Sequence, residues 1–354
     1  MSSNTLNRGR AHANRQGFAL VEAAVVAVVI GMLVAVLVVS GERARRTAMI
    51  GEDLSNLRQI GQLTGQYAND FEDKFWSFSW KKGDKLSQWP DLNVNSDNLQ
   101  AIGSQATDII RRISNRDQTS MPYSALWLPS AIYSHLPLMD YAGLRPAVLG
   151  STVSASRLFV GSGDRNRLLW ISDVDGFEKN KFGANQPPSQ QLGYKRWPYS
   201  TSYRVPLHLV STSFGQNSIT NAAWNGYIVP AGAQFDAKKL TEVAYPSNKV
   251  LLHESHGRHH GKRQPYFSVS TGEARVPLLT IDGAADTRAT RDGNKGWLPL
   301  SPMNAGSTCY AYTPNSWDPP TVTGVQDQCS GYYTYTRSAE KGRDFGGPEV
   351  PHQP

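Results

Sequence analysis

Glu22 is the one charged residue in an otherwise apolar run from Phe18 to Val39. An ionised carboxylate inside a membrane-embedded helix is disfavoured by roughly 2.5–3.5 kcal/mol or more, so it calls for a partner. The chain itself suggests one: cutting the Gly17–Phe18 bond would leave a cationic amine on Phe18, close to that carboxylate. A second constellation is His253, Glu254, His256, His259 and His260, five potential ligands within eight positions. Imidazole with carboxylate suits zinc, copper or nickel. The spacing misses the helical zinc motif His-Glu-x-x-His because His256 falls one position short, and Gly257 and Gly261 read as loop. A solvated basic loop carrying Arg258, Lys262 and Arg263 is the competing reading, and composition favours it. Asp173-Val174-Asp175-Gly176 looks like the opening of a calcium loop, but no glutamate stands at its twelfth position.

Two cysteines, Cys309 and Cys329, lie in a segment rich in Tyr, Pro and Gly. In an oxidising compartment a disulfide between them is the simplest expectation, worth roughly 3 kcal/mol in the chain-entropy picture; two free thiols are the alternative. No Gly-x-Ser-x-Gly elbow, phosphate loop or Cys-His pair in a familiar context is present, so no catalytic residue is assigned and an enzyme is not expected.

The elements that must position these groups follow from periodicity. Phe18–Val39 is long enough to cross a bilayer as one helix, which needs about 20 apolar residues. An ordinary cleaved signal has a shorter core with its cleavage site after it; a cut at Gly17–Phe18 would precede the core, which would be retained. Residues 40–71 continue the helix as an amphipathic half. Leu54, Leu57, Ile60, Leu63, Tyr67 and Phe71 form its apolar stripe, while Glu52, Asp53, Asn56, Arg58, Gln59, Gln62 and Gln66 form the expected solvated face. Beyond Asp70 the aromatics Phe71, Phe75, Trp76, Phe78, Trp80 and Trp89 cluster without a helical repeat. They read as core and strand residues, with stacking on carbohydrate or single-stranded nucleic acid as the alternative. A short helix is expected from Leu99 to Ile113. Strands are expected at Ala125–Leu128, Leu158–Val160, Leu168–Ile171, Val205–Val210 and Tyr227–Val229. Lys341–Pro354 reads as a mobile tail. The formal charge is +7, and Arg8, Arg10 and Arg15 precede the apolar run, so net charge does not indicate a nucleic-acid partner. Those leader cations fit a cytoplasmic N-terminus; Arg43, Arg45 and Arg46 on the far side weaken that reading.

The order basic leader, Gly17-Phe18-Ala19-Leu20-Val21-Glu22, apolar helix resembles the N-terminus of type IV pilins and type II secretion pseudopilins. Asp53-Leu54-Ser55-Asn56-Leu57-Arg58-Gln59-Ile60-Gly61 and Tyr67-Ala68-Asn69-Asp70 are similar to the second half of the helix in a large pseudopilin-like group. Ser211–Asn217, Ala244–Glu254 and Leu278–Gly283, the last ending in Asp-Gly, resemble its later segments. The group's histidine lies a short interval before that Asp-Gly; His260 is further upstream, so this part of the pattern is altered.

The resemblance implies an α+β fold. A long N-terminal pilin-like helix, transmembrane and then amphipathic, would pack on a β-rich globular domain with long loops. It divides the chain into a leader 1–17, a helix 18–71 (transmembrane 18–39, amphipathic 40–71) and a periplasmic domain 72–354. It also implies cleavage by prepilin peptidase between Gly17 and Phe18, N-methylation of Phe18, and pairing of Glu22 with a neighbouring subunit's N-terminus. The implied role is a structural, minor subunit of a type IV pilus-like filament or type II secretion pseudopilus. Its partners would be that peptidase, other pilin or pseudopilin subunits and the bacterial inner membrane, with the globular domain periplasmic, or extracellular once in a filament. No cofactor is assigned, although structural calcium, as in several pseudopilins, and a transition metal at the histidine group stay open. The alternative is a non-polymerising, membrane-anchored periplasmic binding or metal-binding protein; a carbohydrate-binding adhesin tip rests only on the tryptophans.

Overall fold

One uninterrupted helix, α1 (Gly9–Asp70), opens the described chain in a computed structural model. The residues described are 9–123, 132–143, 157–190, 193–206, 238–259, 274–294 and 338–350, with a few shorter pieces between positions 209 and 336, and side chains from residue 20 onward. At 1.5 Å per residue its 62 residues span about 93 Å. The chain falls into two compact units, residues 1–49 and 50–354.

In the first unit every described side chain from Leu20 to Thr47 is solvent-exposed, among them Leu20, Ile30, Leu33 and Leu37. This stretch is long and apolar enough to cross a membrane, and it is exposed among the described residues. So much exposed Val, Leu and Ile is unfavourable in water, and the surface suits an apolar environment.

In the second unit α1 buries Asp53, Leu57, Ile60, Thr64 and Ala68, spaced four, three, four and four residues apart on one face. This corrects the expected stripe. Leu57 and Ile60 are buried, Leu54, Leu63 and Tyr67 half-buried, and Phe71 is 46% exposed, while Asp53 leaves the expected solvated face for the interior. Gly61 lets the helix approach the sheet, since a Cβ there would already touch Leu279 Cδ1 at 3.4 Å.

Four antiparallel strands form that sheet in the order β1 (Tyr203–Arg204), β2 (Val250–Glu254), β3 (Arg275–Thr280), β4 (Ala285–Ala289). Tyr203 pairs with Glu254 and His253 with Leu278. Asp282-Gly283 turns β3 into β4, with Gly283 in the left-handed region at φ 85° and Asp282 Oδ1 accepting from the Ala284 amide, so this motif is structural. Leu251, Leu252 and Leu279 join a core with Leu57 and Ile60 of α1, whereas Val250, Val276 and Leu278 pack with Tyr332, Tyr333 and Phe345. A separate pair, β5 (Ala311–Tyr312) and β6 (Asp327–Gln328), is antiparallel.

The expected helix is realised as α2 (Asn98–Ser114), capped by Asp97 accepting from the Gln100 amide and ended by Asn115 in a left-handed conformation. Its buried Arg111 makes a bidentate pair with Asp91 at 2.8 and 2.7 Å. Two expected strands are helical instead. Leu158–Val160 overlaps a helical turn at Arg157–Phe159, and Leu168–Ile171 lies in α3 (Arg165–Ser172), because Asp164 caps this segment and Trp170 packs inward on Phe177 and Trp197. Of Val205–Val210, Val205 lies beyond β1; Ala125–Leu128 and Tyr227–Val229 fall outside the described residues. The chain is thus mixed helix and sheet. The aromatic segment is largely core, with Phe75, Trp76 and Phe78 buried and Trp76 Nε1 donating to the Ser134 carbonyl, so Trp76 is withheld from any surface ligand. Nor are residues 341–350 a free tail: Asp344 and Phe345 are buried, and Asp344 accepts from the Val250 amide at 2.7 Å.

His135 gives the core a pH dependence. It is buried with its ring 4.7 Å from that of Phe159, and its Nδ1 has no partner among the described residues. Burial first, and then the charge of Arg167, push its pKa down to about 3. The folded chain therefore keeps His135 neutral where the unfolded chain protonates it, and stability is lost as pH falls below about 6.5. The loss approaches about 1.4 kcal/mol per pH unit, or about 2 kcal/mol between pH 6.5 and 4.5. His135→Phe, which keeps a ring against Phe159, is expected to remove that share of the acid sensitivity in urea titrations of the full-length chain. A variant as acid-sensitive as the wild type would show that His135 does not titrate this way.

Candidate functional site

Five segments meet around Asp53. They are α1, the Gly161–Asp164 turn entering α3, the Ser202–Tyr203 end of β1, the last residue of β2 (Glu254), and the following turn to His259. The antiparallel pairing of Tyr203 with Glu254 sets the two strands in register, and a dense turn, not a helix, carries His256, Arg258 and His259 inward. Gly161 and Gly163 permit the approach. A Cβ on Gly161 would sit 2.9 Å from Glu254 Oε1, and one on Gly163 would sit 2.8 Å from Arg258 Cβ.

The contacts form one connected network. Asp53 Oδ2 lies 2.6 Å from His259 Nε2, and Asp53 Oδ1 accepts from the Ser162 amide at 2.6 Å and from the Tyr203 hydroxyl at 3.3 Å. Arg258 donates to Glu254 Oε1 at 2.7 Å and to Asp164 Oδ2 at 2.8 Å. Asp164 Oδ2 also accepts from Arg167 at 2.7 Å and from Ser202 at 2.8 Å. Asp53, Asp164, Glu254 and His259 are all buried. Glu254 Oε2 has no hydrogen-bond partner among the described residues. One ligand atom each from Asp53, Glu254 and His259 lies within 4.8 Å of the other two.

Burial drives the electrostatics, and the partners modulate it. Burial pushes the Glu254 carboxyl up to about 7 against the pull of Arg258. Burial would also raise Asp164, but Arg258 and Arg167 outweigh it and hold that carboxyl well below the usual carboxylate range. For His259, burial favours the neutral ring, yet the hydrogen bond to Asp53 and the charge of Glu254 leave its pKa raised. Tyr203 is pushed well up, by burial and then by Asp53 and Glu254.

The histidine constellation is therefore not a solvated loop over its described part. His253, Glu254, His256 and His259 are buried, because the turn folds under the end of α1's inner face where Asp53 offers a charge partner. Glu254 and His259 come together with Asp53. His253 instead lies against Tyr333 with Nδ1 3.1 Å from the Glu254 carbonyl, and His256 Nδ1 lies 2.9 Å from Ser255 Oγ. Burial pushes His253 down to about 3 and His256 well below its ordinary value. His260, Cys309 and Cys329 fall outside the described residues, as do Ser211–Asn217. Gly17 and Phe18 lie on the backbone of α1, and Glu22 is exposed on the same helix. Asp173 is taken up as the cap of α4 (Val174–Glu178), accepting from the Gly176 amide and from Lys181, which accounts for the apparent calcium-loop opening.

Asp53 is the residue that sequence reasoning misplaced. A signal for it existed: four and seven residues before Leu57 and Ile60, it lies on their face of the helix. No family model matches the chain, and neither curated proteins nor solved structures provide a match.

Proposed function

We propose that the chain is a single-pass, membrane-anchored structural subunit of a pilin-like filament, of the type IV pilus or type II secretion pseudopilus kind. One observation carries the reading: α1 presents an apolar stretch from Leu20 to Val39 that is exposed among the described residues, with Glu22 its only charge. A bundle of such helices from many copies would bury that surface. Small residues such as Gly31 and Ala35 favour close helix approach in such bundles. In this reading prepilin peptidase cuts between Gly17 and Phe18, Phe18 becomes the N-methylated first residue, and its cationic amine neutralises Glu22 of the adjacent copy. The globular unit is then periplasmic, and its size favours a minor subunit.

The N-terminal mass of the full-length protein taken from its native bacterial membrane tests this. The expected mature chain starts at a methylated Phe18. A chain that still began upstream of Phe18, or that had lost residues 18–39, would overturn the reading. The buried Asp53–Glu254–His259 group favours a second reading, an anchored metal-binding protein that never polymerises.

A further inference from the structure

We propose that Asp53, Glu254 and His259 together hold one divalent first-row transition-metal ion, zinc being the natural occupant, as a clamp between α1 and the end of β2. The inference is independent of filament assembly and holds for a polymerising or a solitary subunit alike.

The arrangement is that of a built ligand set. Each carboxylate has one oxygen anchored and one presented. Asp53 Oδ1 is fixed by the Ser162 amide and the Tyr203 hydroxyl, while Oδ2 faces His259 Nε2 at 2.6 Å; Glu254 Oε1 is fixed by Arg258, leaving Oε2. Outer-shell hydrogen bonds of this kind orient ligating carboxylates. The third donor is His259 Nε2, and ligand atoms of the three residues lie within 4.8 Å of one another. The independent sign of a missing ligand is Glu254. Its side chain is fully buried, yet Oε2 meets no donor among the described residues. A buried carboxylate oxygen without a donor is disfavoured, and either a proton or a cation must satisfy it. One imidazole with two carboxylates is a mixed nitrogen and oxygen set that zinc accepts, and three protein ligands from separate elements would leave its fourth position to water. Without the ion, a shared proton holds the 2.6 Å contact between His259 and Asp53; binding displaces that proton, so affinity should weaken as pH falls.

The test uses the full-length chain in detergent, stripped with a chelator and titrated with zinc chloride alone. One zinc per chain is expected to survive gel filtration. Saturation should raise Tm by about 5 °C or more, the size expected of a tightly bound ion on a chain of this length. X-ray absorption of the wild-type zinc form should show a single imidazole with oxygen neighbours, a reading that needs no variant to fold. Asp53→Asn should cut retained zinc at least about tenfold, as loss of a charged ligand does. Absence of stoichiometric zinc in the wild type overturns the proposal. So does a spectrum with sulfur or several imidazoles, which would place the ion at the cysteines or at other histidines. Full zinc retention by Asp53→Asn would overturn it as well.

Discussion

Glu22→Ala is expected to abolish filament assembly while leaving membrane insertion and leader cleavage intact. The substitution makes the apolar run more hydrophobic, so insertion is eased: roughly 2.5–3.5 kcal/mol of unfavourable burial disappears. Assembly should respond in the opposite sense, because in the proposed bundle each copy's Phe18 amine needs an anion in a low-dielectric environment. An unpaired ammonium there is disfavoured by several kcal/mol, repeated at every subunit added. The measurement is the amount of polymer sheared from cells expressing the variant, alongside the N-terminal mass of the membrane-bound pool. Filaments at wild-type levels would refute the pairing, and an uncleaved pool would show that Glu22 acts at processing. Glu22→Asp should be intermediate, since the charge is kept and the reach shortened.

Asp164→Ala should be the most destabilising single change in the globular unit. Asp164 accepts from Arg258, Arg167 and Ser202 and caps α3 through the Arg167 amide at 3.3 Å, all within a buried network. Removing it takes the carboxylate from Arg167, which keeps the Ser200 hydroxyl, and one of two carboxylates from Arg258, which keeps Glu254; breaking one side of a buried pair typically destabilises by about 3–5 kcal/mol. Loss of the cap adds about 1 kcal/mol. That is a large part of the 5–15 kcal/mol that holds a typical domain together. Asp164→Asn keeps an acceptor for the cap but not the charge, and should fall between wild type and Asp164→Ala. By contrast the exposed Arg157–Glu52 pair, 3.5 Å apart, should contribute under about 1 kcal/mol. Urea denaturation of the full-length variants in detergent gives the comparison. A loss below about 1 kcal/mol for Asp164→Ala would mean that water or rearranged acceptors satisfy both arginines.

The N-terminal helix, long and apolar enough to cross a membrane, was legible without any structure, because a run of that length and composition needs no distant partner to be recognised. The same holds for α2, whose isoleucines recur at helical spacing between an Asp cap and an Asn stop. The Asp-Gly turn between β3 and β4 was legible too, because its geometry is local. Leu168–Ile171 was misread because a four-residue apolar run carries no period; the cap at Asp164 and the packing of Trp170 decide for helix.

What the sequence by itself determined is what local periodicity writes clearly: an apolar helix with a lone carboxylate at Glu22, its continuation to Asp70, and α2. Only the tertiary structure decided where Asp53 points and which histidines matter. The residues that complete the network stand some 110 to 206 positions from Asp53 along the chain, as Ser162 and His259 do. Charge pairing of that range leaves no trace in any window of a dozen residues. An aspartate on a helix looks the same whether it faces water or a buried imidazole until the sheet has folded beneath it.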